Sequence, residues 1–301
     1  HYESEFPLVI ADVFAKFPIG DFVIRVNNRK ILSGFYAGLG IADAQGTIRV
    51  VDKLDKIGPD AVRELLRERG LTGEQADACL RLAQISAADT SFVGQVRALG
   101  VEHPLLDEGL TDLAAVIEVG AAHVPGRVVA DLRIARGLDY YTGTVYETQI
   151  VGREDWGSVA GGGRYDALAS DGRTTYPGVG ISIGVTRILG LLFGAGELSA
   201  SRSTPSVVLV AVNDEAERAA STAVATALRA RGIPCEVAPT ADKFGKQIRY
   251  ADRRGIPYVW FSRADGDQVK DIRSGEQVPA DPAVWQPPAQ DLRPQVTRSG
   301  D

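Results

Sequence analysis

The densest group of chemically capable side chains lies in residues 136–147, which read RGLDYYTGTVYE. Arg136 offers a planar fork of donors that can bind a carboxylate or a phosphate through two hydrogen bonds. Tyr140 and Tyr141 offer an apolar wall with hydroxyl groups that can bond a polar ligand. A plain strand would place Arg136 and Tyr141 on opposite faces. The glycine and the aspartate between them therefore predict a loop, from which both side chains converge on one pocket. An aromatic hairpin with a surface ion pair is the alternative.

Two glycine-rich stretches follow. Residues 161–166 read GGGRYD, and three consecutive glycines predict backbone that must approach a ligand or another strand closely; a flexible hairpin tip is the alternative. Residues 177–189, PGVGISIGVTRIL, predict a glycine-bearing strand that runs into an apolar helix. Arg187 would lie in the first turn of that helix, where a guanidinium and a helix N-terminus together form an anion site. The glycine spacing matches neither GxGxxG nor GxxxxGK[ST].

The elements that must position these motifs follow from periodicity. A short helix-like stretch opens the chain, residues 22–26 alternate like a half-buried strand, and Asn27-Asn28 predict a turn. Residues 29–125 carry helical spacing and cap-like starts, which indicate a helical packing or insertion module. Beyond them, strand-like runs at 145–150 and 179–183 alternate with the glycine clusters.

The last third of the chain has a different pattern. Residues 196–205, GELSASRSTP, are small and polar, which is the composition of a linker. Strands and helices then alternate, which predicts a parallel or mixed sheet covered by helices. The predicted strands are 207–212, 234–238 and 258–261, and the predicted helices are 214–231 and 243–254.

A row of cations marks the second of those helices. Lys246, Arg249 and Arg253 fall at i, i+3 and i+7 and so share one helix face, with Lys243 just before the helix. Such a row is either a solvated face or a patch that follows a phosphate backbone.

Composition limits the class of protein. A chain of 301 residues can form two domains with proper cores, and 45% apolar and 24% charged residues are ordinary for a globular protein. The net charge of −6 restricts nucleic-acid binding to local basic patches. Cys79 and Cys235 are far apart and predict reduced, buried thiols in a cytoplasmic protein. The three histidines form no ligand pattern, so no protein-bound structural metal is expected. We also expect no membrane span and no signal segment.

Taken together, the three motifs resemble the signatures of histidyl-tRNA synthetases. RGLDYY and GGRYD resemble the two histidine-specific signatures of that family, and the glycine strand that ends in Arg187 resembles motif 3 of class II synthetases. The final domain resembles the family's anticodon-binding domain, with residues 270–277 as its closing strand pair. The resemblance covers essentially the whole chain.

The resemblance implies a fold of two parts. The first is an α+β class II synthetase catalytic core over residues 1–199, with a partial antiparallel sheet and a helical insertion at about 29–126. The second is an α/β anticodon-binding domain over residues 206–301. The implied activity is ATP-dependent activation of L-histidine to histidyl-adenylate, followed by transfer of histidine to tRNA(His).

The resemblance also implies roles for individual residues. Arg136 would be catalytic and would bridge the histidine carboxylate and the α-phosphate of ATP. Gly184 and Arg187 would bind ATP, with Arg187 at the γ-phosphate, and Mg²⁺ would be bound mainly through ATP. The full-length protein would be a cytoplasmic homodimer. The implied histidine-binding residues are Tyr140, Tyr141, Gly161, Gly162 and Tyr165, and the implied tRNA-binding residues are Lys243, Lys246, Arg249 and Arg253.

One departure from the family concerns what lies before His1. The chain contains no methionine, and the family's motifs 1 and 2, with the glutamine and glutamate that hold the substrate amine and imidazole, are not in it. We therefore expect a fragment that does not aminoacylate by itself. The alternative function is that of a synthetase-like regulatory subunit of an ATP phosphoribosyltransferase in histidine biosynthesis. Such paralogues usually lack the anticodon domain and have eroded histidine signatures, so Arg136, Tyr141 and Tyr165 favour the enzyme.

Overall fold

The computed structural model describes residues 2–17, 19–135, 140–263 and 266–299. The chain forms two compact units, residues 1–189 and 190–301. The domain limits of 1–199 and 206–301 stay a prediction.

A six-stranded sheet forms the centre of the first unit, in the order β2-β3-β1-β4-β5-β6. Among the described strands of this sheet, only the pair β1 and β3 is parallel, and the other neighbouring pairs are antiparallel. This confirms the α+β core with a largely antiparallel sheet. The strands are β1 (Phe22–Asn28), β2 (Ser86–Ala87), β3 (Val128–Asp131), β4 (Thr144–Ile150), β5 (Ala160–Tyr165) and β6 (Gly178–Ile183).

Helices fill most of the chain between β1 and β3, as predicted for residues 29–125. The helices are α1 (Tyr2–Ala15), α2 (Arg29–Gly38), α3 (Ala44–Val51), α4 (Leu54–Glu68), α5 (Gly73–Ala83), α6 (Ser91–Arg97) and α7 (Pro104–His123), and α8 (Val185–Gly194) follows β6. Thr72 and Gln75 begin α5 with a reciprocal capping box. The α2 and α7 backbones pack closely, because a Cβ on Gly34 would lie 2.3 Å from the Leu106 nitrogen.

The predicted turn at Asn27-Asn28 is wrong. Both residues are fully buried in the last positions of β1, where they pair with Val145 and Thr144 of β4. The Asn28 side chain accepts a hydrogen bond from the Lys30 backbone nitrogen and so caps α2. Buried amides are tolerated here because distant parts of the chain accept their hydrogen bonds. The Leu132 and Ile134 carbonyls accept from Asn27, and the Thr144 hydroxyl accepts from Asn28.

The second unit contains the mixed sheet that the alternating pattern predicted, in the order β12-β11-β10-β8-β9. Strands β8, β9 and β10 are parallel, and β11 and β12 are antiparallel to their neighbours. Its elements are β7 (Leu198–Ala200), β8 (Val208–Val210), α9 (Arg218–Ala230), β9 (Cys235–Val237), α10 (Phe244–Arg254), β10 (Tyr258–Phe261), β11 (Gln268–Asp271), β12 (Gln277–Pro279), α11 (Ala289–Leu292) and β13 (Val296–Arg298).

Helices α9 and α10 cover opposite faces of the five-stranded sheet. Val224, Ala225 and Leu228 of α9 pack in one core cluster with Val208, Val210 and Trp260. Ala251 and Ile248 of α10 pack in another with Leu209 and Val259. Burial on both faces explains the continuous apolar runs of the central strands.

The interpretation of residues 196–205 as a linker is wrong. Within them β7 pairs with β13, near the end of the chain. Arg202 is only 8% exposed and donates to four backbone carbonyls, including those of Thr204 at 3.1 Å and Asp291 at 2.8 Å. A buried arginine that satisfies several carbonyls fixes the segment, which composition alone could not reveal.

Candidate functional site

One face of the first sheet is built largely of glycine. Successive strand residues point to opposite faces, so the strand register places Val145, Gly163 and Gly180 on the same face. The opposite face carries Tyr146, whose hydroxyl donates to the Glu3 carbonyl of α1 at 2.7 Å. Helix α1 therefore covers the opposite face. We call the first face the glycine face; it carries Val145, Gly161, Gly163, Tyr165, Gly178 and Gly180.

The three glycines of β5 lie inside the sheet, between β4 and β6, which excludes the flexible hairpin tip. A Cβ on Gly162 would lie 1.9 Å from the Gly180 carbonyl oxygen, closer than any real contact allows. A Cβ on Gly163 would lie 2.7 Å from a ring carbon of Tyr141. The prediction that this backbone must approach its neighbours closely is therefore confirmed for these two glycines.

Three tyrosines gather against the glycine face. The rings of Tyr140 and Tyr141 lie 4.5 Å apart between centroids, and the Tyr140 and Tyr165 rings meet edge to face at 6.3 Å. Tyr141 is buried and packs with Ile134, Val145 and Tyr165. The Tyr140 hydroxyl, on a half-exposed side chain, donates to the Tyr141 hydroxyl at 3.4 Å. We call these three residues the tyrosine cluster; they combine an apolar surface with hydroxyl groups that can bond a polar ring.

Arg136, the predicted catalytic cation, lies outside the described residues. The described residues on either side of it belong to the same region, since Ile134 packs with Tyr141 and Tyr140 belongs to the tyrosine cluster. The convergence of Arg136 with the tyrosines stays a prediction.

Gly184 and Arg187 lie at the other end of β5 and β6 from the tyrosine cluster. Tyr165 pairs with Gly178, whereas Ala160 pairs with Ile183, just before Gly184. Five strand residues separate the two ends, which is roughly 17 Å. Arg187 lies in the first turn of α8 as predicted, and its guanidinium donates to the Trp156 carbonyl at 2.9 Å. A single ligand would have to be long to touch both ends.

In the second unit, a cavity of about 350 Å³ opens beside α10. Three of the four predicted cations line it, while Lys243, the residue before α10, does not. The cavity follows the carboxyl end of β9, the position where parallel sheets commonly take ligands. Its lining residues are Leu209, Ala238, Pro239, Thr240, Asp242, Lys246, Gln247, Arg249, Tyr250, Asp252 and Arg253.

The charge of this cavity is smaller than the row of cations suggested. Asp242 and Asp252 offset two of the three positive charges, which leaves a net charge of +1 (three cations less two carboxylates). Lys246 pairs with Asp242 at 2.9 Å. Periodicity missed Tyr250, which also lines the cavity and has the Arg254 guanidinium 5.7 Å from its ring centroid.

Over the described ranges, no group of three His, Cys, Asp or Glu side chains is placed to hold a metal ion. None of the helices seen there is long and apolar enough to cross a bilayer. Both cysteines are free and buried, and burial raises the pKa of the Cys79 thiol to about 12.

Comparison with known proteins decides the family. The family model described as histidyl-tRNA synthetase matches residues 3–188, and that of an anticodon binding domain matches residues 206–261. The chain belongs to the histidyl-tRNA synthetase family. It is 56% identical to the histidine–tRNA ligase of Cutibacterium acnes over 98% of this chain and 68% of that protein. It is also 56% identical to the Micrococcus luteus enzyme of the same name, over 100% of this chain and 67% of that protein.

A solved structure of the family supports the fold. The crystal structure of histidyl-tRNA synthetase from Nostoc sp. PCC 7120 matches with a TM-score of 0.62 at 35% identity, over 93% of this chain and 68% of that one. The chain thus spans about two thirds of the length of these relatives. The predicted class II core followed by an anticodon-binding domain is confirmed.

A polar network centred on the buried Glu3 and Thr144, which the motifs did not predict, supports the histidyl-tRNA synthetase signatures in this chain. Arg164 donates to Glu3 at 2.7 Å and to Asp166 at 2.9 Å, and Thr142 donates to Asp166 at 2.8 Å. The backbone nitrogen and hydroxyl of Thr144 both donate to Glu3. The network therefore fixes the residues that follow Tyr141 and the residues on both sides of Tyr165. Sequence reasoning missed it because Glu3 lies more than 140 residues from these partners.

The Glu3 carboxylate is stabilised in its charged form. Burial by itself would raise its pKa, but hydrogen bonds from Thr144 and Arg164 more than offset burial and lower the pKa below its ordinary value of 4.5. A carboxyl group with a lowered pKa in the folded state contributes stability above its unfolded-state pKa. That stability is lost as the pH falls through the folded-state value.

We predict that Glu3→Gln lowers the free energy of unfolding of the first unit at pH 7 by about 1.5 kcal/mol, because a charge-assisted hydrogen bond is lost. The loss should begin to shrink as the pH falls below about 4.5, the ordinary pKa of glutamate, because the unfolded chain then takes up the proton first. It should disappear once the pH is below the lowered folded-state pKa of Glu3. Urea unfolding at each pH, monitored through hydrogen exchange of the β4 amides, measures the change in unfolding free energy. Glu5→Gln, at an exposed position of α1, is the control. A Glu3→Gln effect that did not change between pH 7 and pH 3 would contradict the role of the charge.

Proposed function

We propose that this chain carries the histidine-binding half-site and the anticodon-binding domain of a histidine–tRNA ligase. The observation that supports this most is the tyrosine cluster against the glycine face, formed by the two stretches that resemble the family's histidine signatures. The reaction would be that of the relatives' name: ATP, L-histidine and tRNA(His) give histidyl-tRNA, AMP and pyrophosphate.

Histidine would bind with its imidazole against the tyrosine cluster. The ring is planar and partly polar, so it can pack on the phenol rings of Tyr141 and Tyr165 while their hydroxyls bond its nitrogens. Tyr140 would close the exposed side. Gly161 and Gly162 would form the backbone wall, since a strand without side chains leaves room for a ligand above it.

Arg136 would act on the reacting groups. The histidine carboxylate attacks the α-phosphorus of ATP, a bond to the bridging oxygen breaks, and pyrophosphate leaves with the electron pair. Negative charge builds on the non-bridging oxygens of the α-phosphate, and a fixed guanidinium stabilises it. The same guanidinium would hold the two anions together before they react. Its place in the sequence, two residues after Ile134 and four before Tyr140, supports this role.

ATP would extend from this point along β5 and β6. Gly184 and Arg187 lie beyond the far end of these strands, and Arg187 lies in the first turn of α8, where the helix dipole favours an anion. This position fits the terminal phosphates. Mg²⁺ would be held mainly by the ATP phosphates, since Mg²⁺ commonly binds through substrate phosphates.

The cavity beside α10 would contact tRNA(His). Arg249, Arg253, Lys246 and the nearby Lys243 would follow the phosphate backbone around the anticodon, and splayed bases would be read by edges and stacking. A homodimeric, cytoplasmic full-length protein completes the proposal. The regulatory-subunit alternative is disfavoured because both the histidine signatures and the anticodon-binding domain are present.

The complete gene product that contains this chain should catalyse histidine-dependent ATP–pyrophosphate exchange. Arg136→Ala should lower kcat by about 100-fold, the cost of removing one group that stabilises charge in the transition state. Tyr141→Phe should instead raise KM for histidine. Tyr176→Phe, at an exposed position outside the tyrosine cluster, should leave both constants unchanged.

Two results would count against the proposal. One is full exchange activity in Arg136→Ala. The other is robust exchange by the 301-residue chain alone, because the family's motif 2 arginine is not in it.

For tRNA, Arg249→Ala and Arg253→Ala should each weaken binding of tRNA(His) and lower the slope of log affinity against log salt by about 1, as expected for one lost phosphate contact. Filter binding at several salt concentrations measures this. Arg293→Ala removes the same charge from an exposed residue that does not line the cavity and should change neither quantity. An equal loss in all three variants would indicate a general charge effect, which is the solvated-face interpretation.

A further inference from the structure

The end of β1 and the start of α2 hold the chain just before Arg136. The Asn27 side-chain amide donates to the Leu132 carbonyl at 3.2 Å and to the Ile134 carbonyl at 2.7 Å. The Arg29 guanidinium donates to the Ala135 carbonyl at 2.8 Å. Two side chains thus bond three of the four backbone carbonyls that precede the predicted catalytic residue.

The same short segment also holds the chain after Tyr141. The Arg29 backbone nitrogen donates to the Gly143 carbonyl at 2.9 Å. Next to it, the Asn28 amide lies 3.5 Å from the Thr144 hydroxyl, and Asn28 pairs with Thr144 in the sheet. Residues 27–29 therefore form hydrogen bonds to the chain on both sides of residues 136–142.

Burial indicates that this arrangement is specific. Asn27 and Asn28 are fully buried and Arg29 is 3% exposed. Removing a guanidinium from water is costly unless it is hydrogen-bonded, and few sequences place an arginine in such a position. Three of the acceptors are backbone carbonyls of one segment, and these hydrogen bonds both offset the cost of burial and hold the path of that segment.

Arg29 also connects this segment to the helical insertion. Its second terminal nitrogen donates to the Gln45 side-chain oxygen at 2.7 Å, and Gln45 lies in the first turn of α3. A movement of α3 would pull on the guanidinium that bonds Ala135. The Gln45 residue itself is exposed, so its side chain can be changed without opening a core.

We propose that Asn27 and Arg29 are positioning residues that set the path of the chain into Arg136, and that Gln45 couples the helical insertion to this path. The proposal rests on the role given to Arg136 under the proposed function. Neither Asn27 nor Arg29 needs to touch a substrate for this.

The test uses the complete gene product with two measurements. The first is kcat and KM for histidine-dependent ATP–pyrophosphate exchange. The second is amide hydrogen exchange in peptides covering residues 132–146, compared with peptides covering β10. Arg29→Met should lower kcat by about 100-fold, the scale of a small misplacement of a catalytic group, with little change in KM for histidine. Amide hydrogen exchange should accelerate in residues 132–146 and not in β10.

Matched variants separate positioning from general support of the fold. Arg29→Lys can still donate to one carbonyl, and should recover at least tenfold of the lost kcat. Arg127→Met removes an arginine that also donates to a backbone carbonyl, that of Phe22 at 3.2 Å, at the opposite end of β1; it should leave kcat within twofold. Gln45→Ala should lower kcat by about threefold to tenfold and accelerate exchange in 132–146.

The proposal is overturned if folded Arg29→Met keeps kcat within twofold of the wild-type value, or if amide hydrogen exchange accelerates equally in all peptides. Should Arg29→Met not fold, Gln45→Ala decides in the same way, since that site is exposed. A wild-type protein without histidine-dependent exchange would refute the proposed function instead; the hydrogen-exchange comparison would then decide whether residues 27–29 hold the stretch.

Discussion

The close approach of backbone and ring at β5 is the constraint on which the rest of the site depends. Gly162 lets β6 come so near that a Cβ would lie 1.9 Å from the Gly180 carbonyl oxygen, and Gly163 lets the Tyr141 ring lie where a Cβ would be 2.7 Å away. Any larger residue would push apart the sheet or the ring. The Tyr141 ring can pack on this face only because Gly163 of β5 has no side chain beneath it.

A site of this kind also needs support from the side, because glycines hold nothing in place. Two clusters of polar residues supply this support. Glu3, Arg164 and Asp166 fix the segments next to Tyr141 and Tyr165, and Asn27 and Arg29 fix the chain before Arg136. In both clusters the partners include backbone atoms or opposite charges, and these hydrogen bonds offset part of the cost of burying the polar side chains. Function and fold share these contacts, and changing one of them should disturb the site before it unfolds the unit.

Many of the strands and helices, and the meeting of the three tyrosines, could be predicted from residue types and spacing. Alternation predicted β4 and β6, helical spacing predicted residues 29–125 and α10, and the two signatures predicted that Tyr140, Tyr141 and Tyr165 come together. The errors share one physical cause, which is that polar residues were assigned to solvent. Asn27 and Asn28 predicted a turn, but their amides are satisfied inside the sheet by groups more than 100 residues away. Residues 196–205 predicted a linker, although Arg202 pins them through backbone carbonyls. Such partners are set by tertiary structure, and no local pattern encodes them.

A crystal structure of the complete gene product with a non-hydrolysable histidinyl-adenylate analogue tests the histidine site most directly. We expect the imidazole against the glycine face, with a ring nitrogen at about 2.7–3.2 Å from the hydroxyl of Tyr141 or Tyr165, and the phosphate mimic beside Arg136. An analogue bound on another surface, with no contact to the tyrosine cluster, would contradict this expectation.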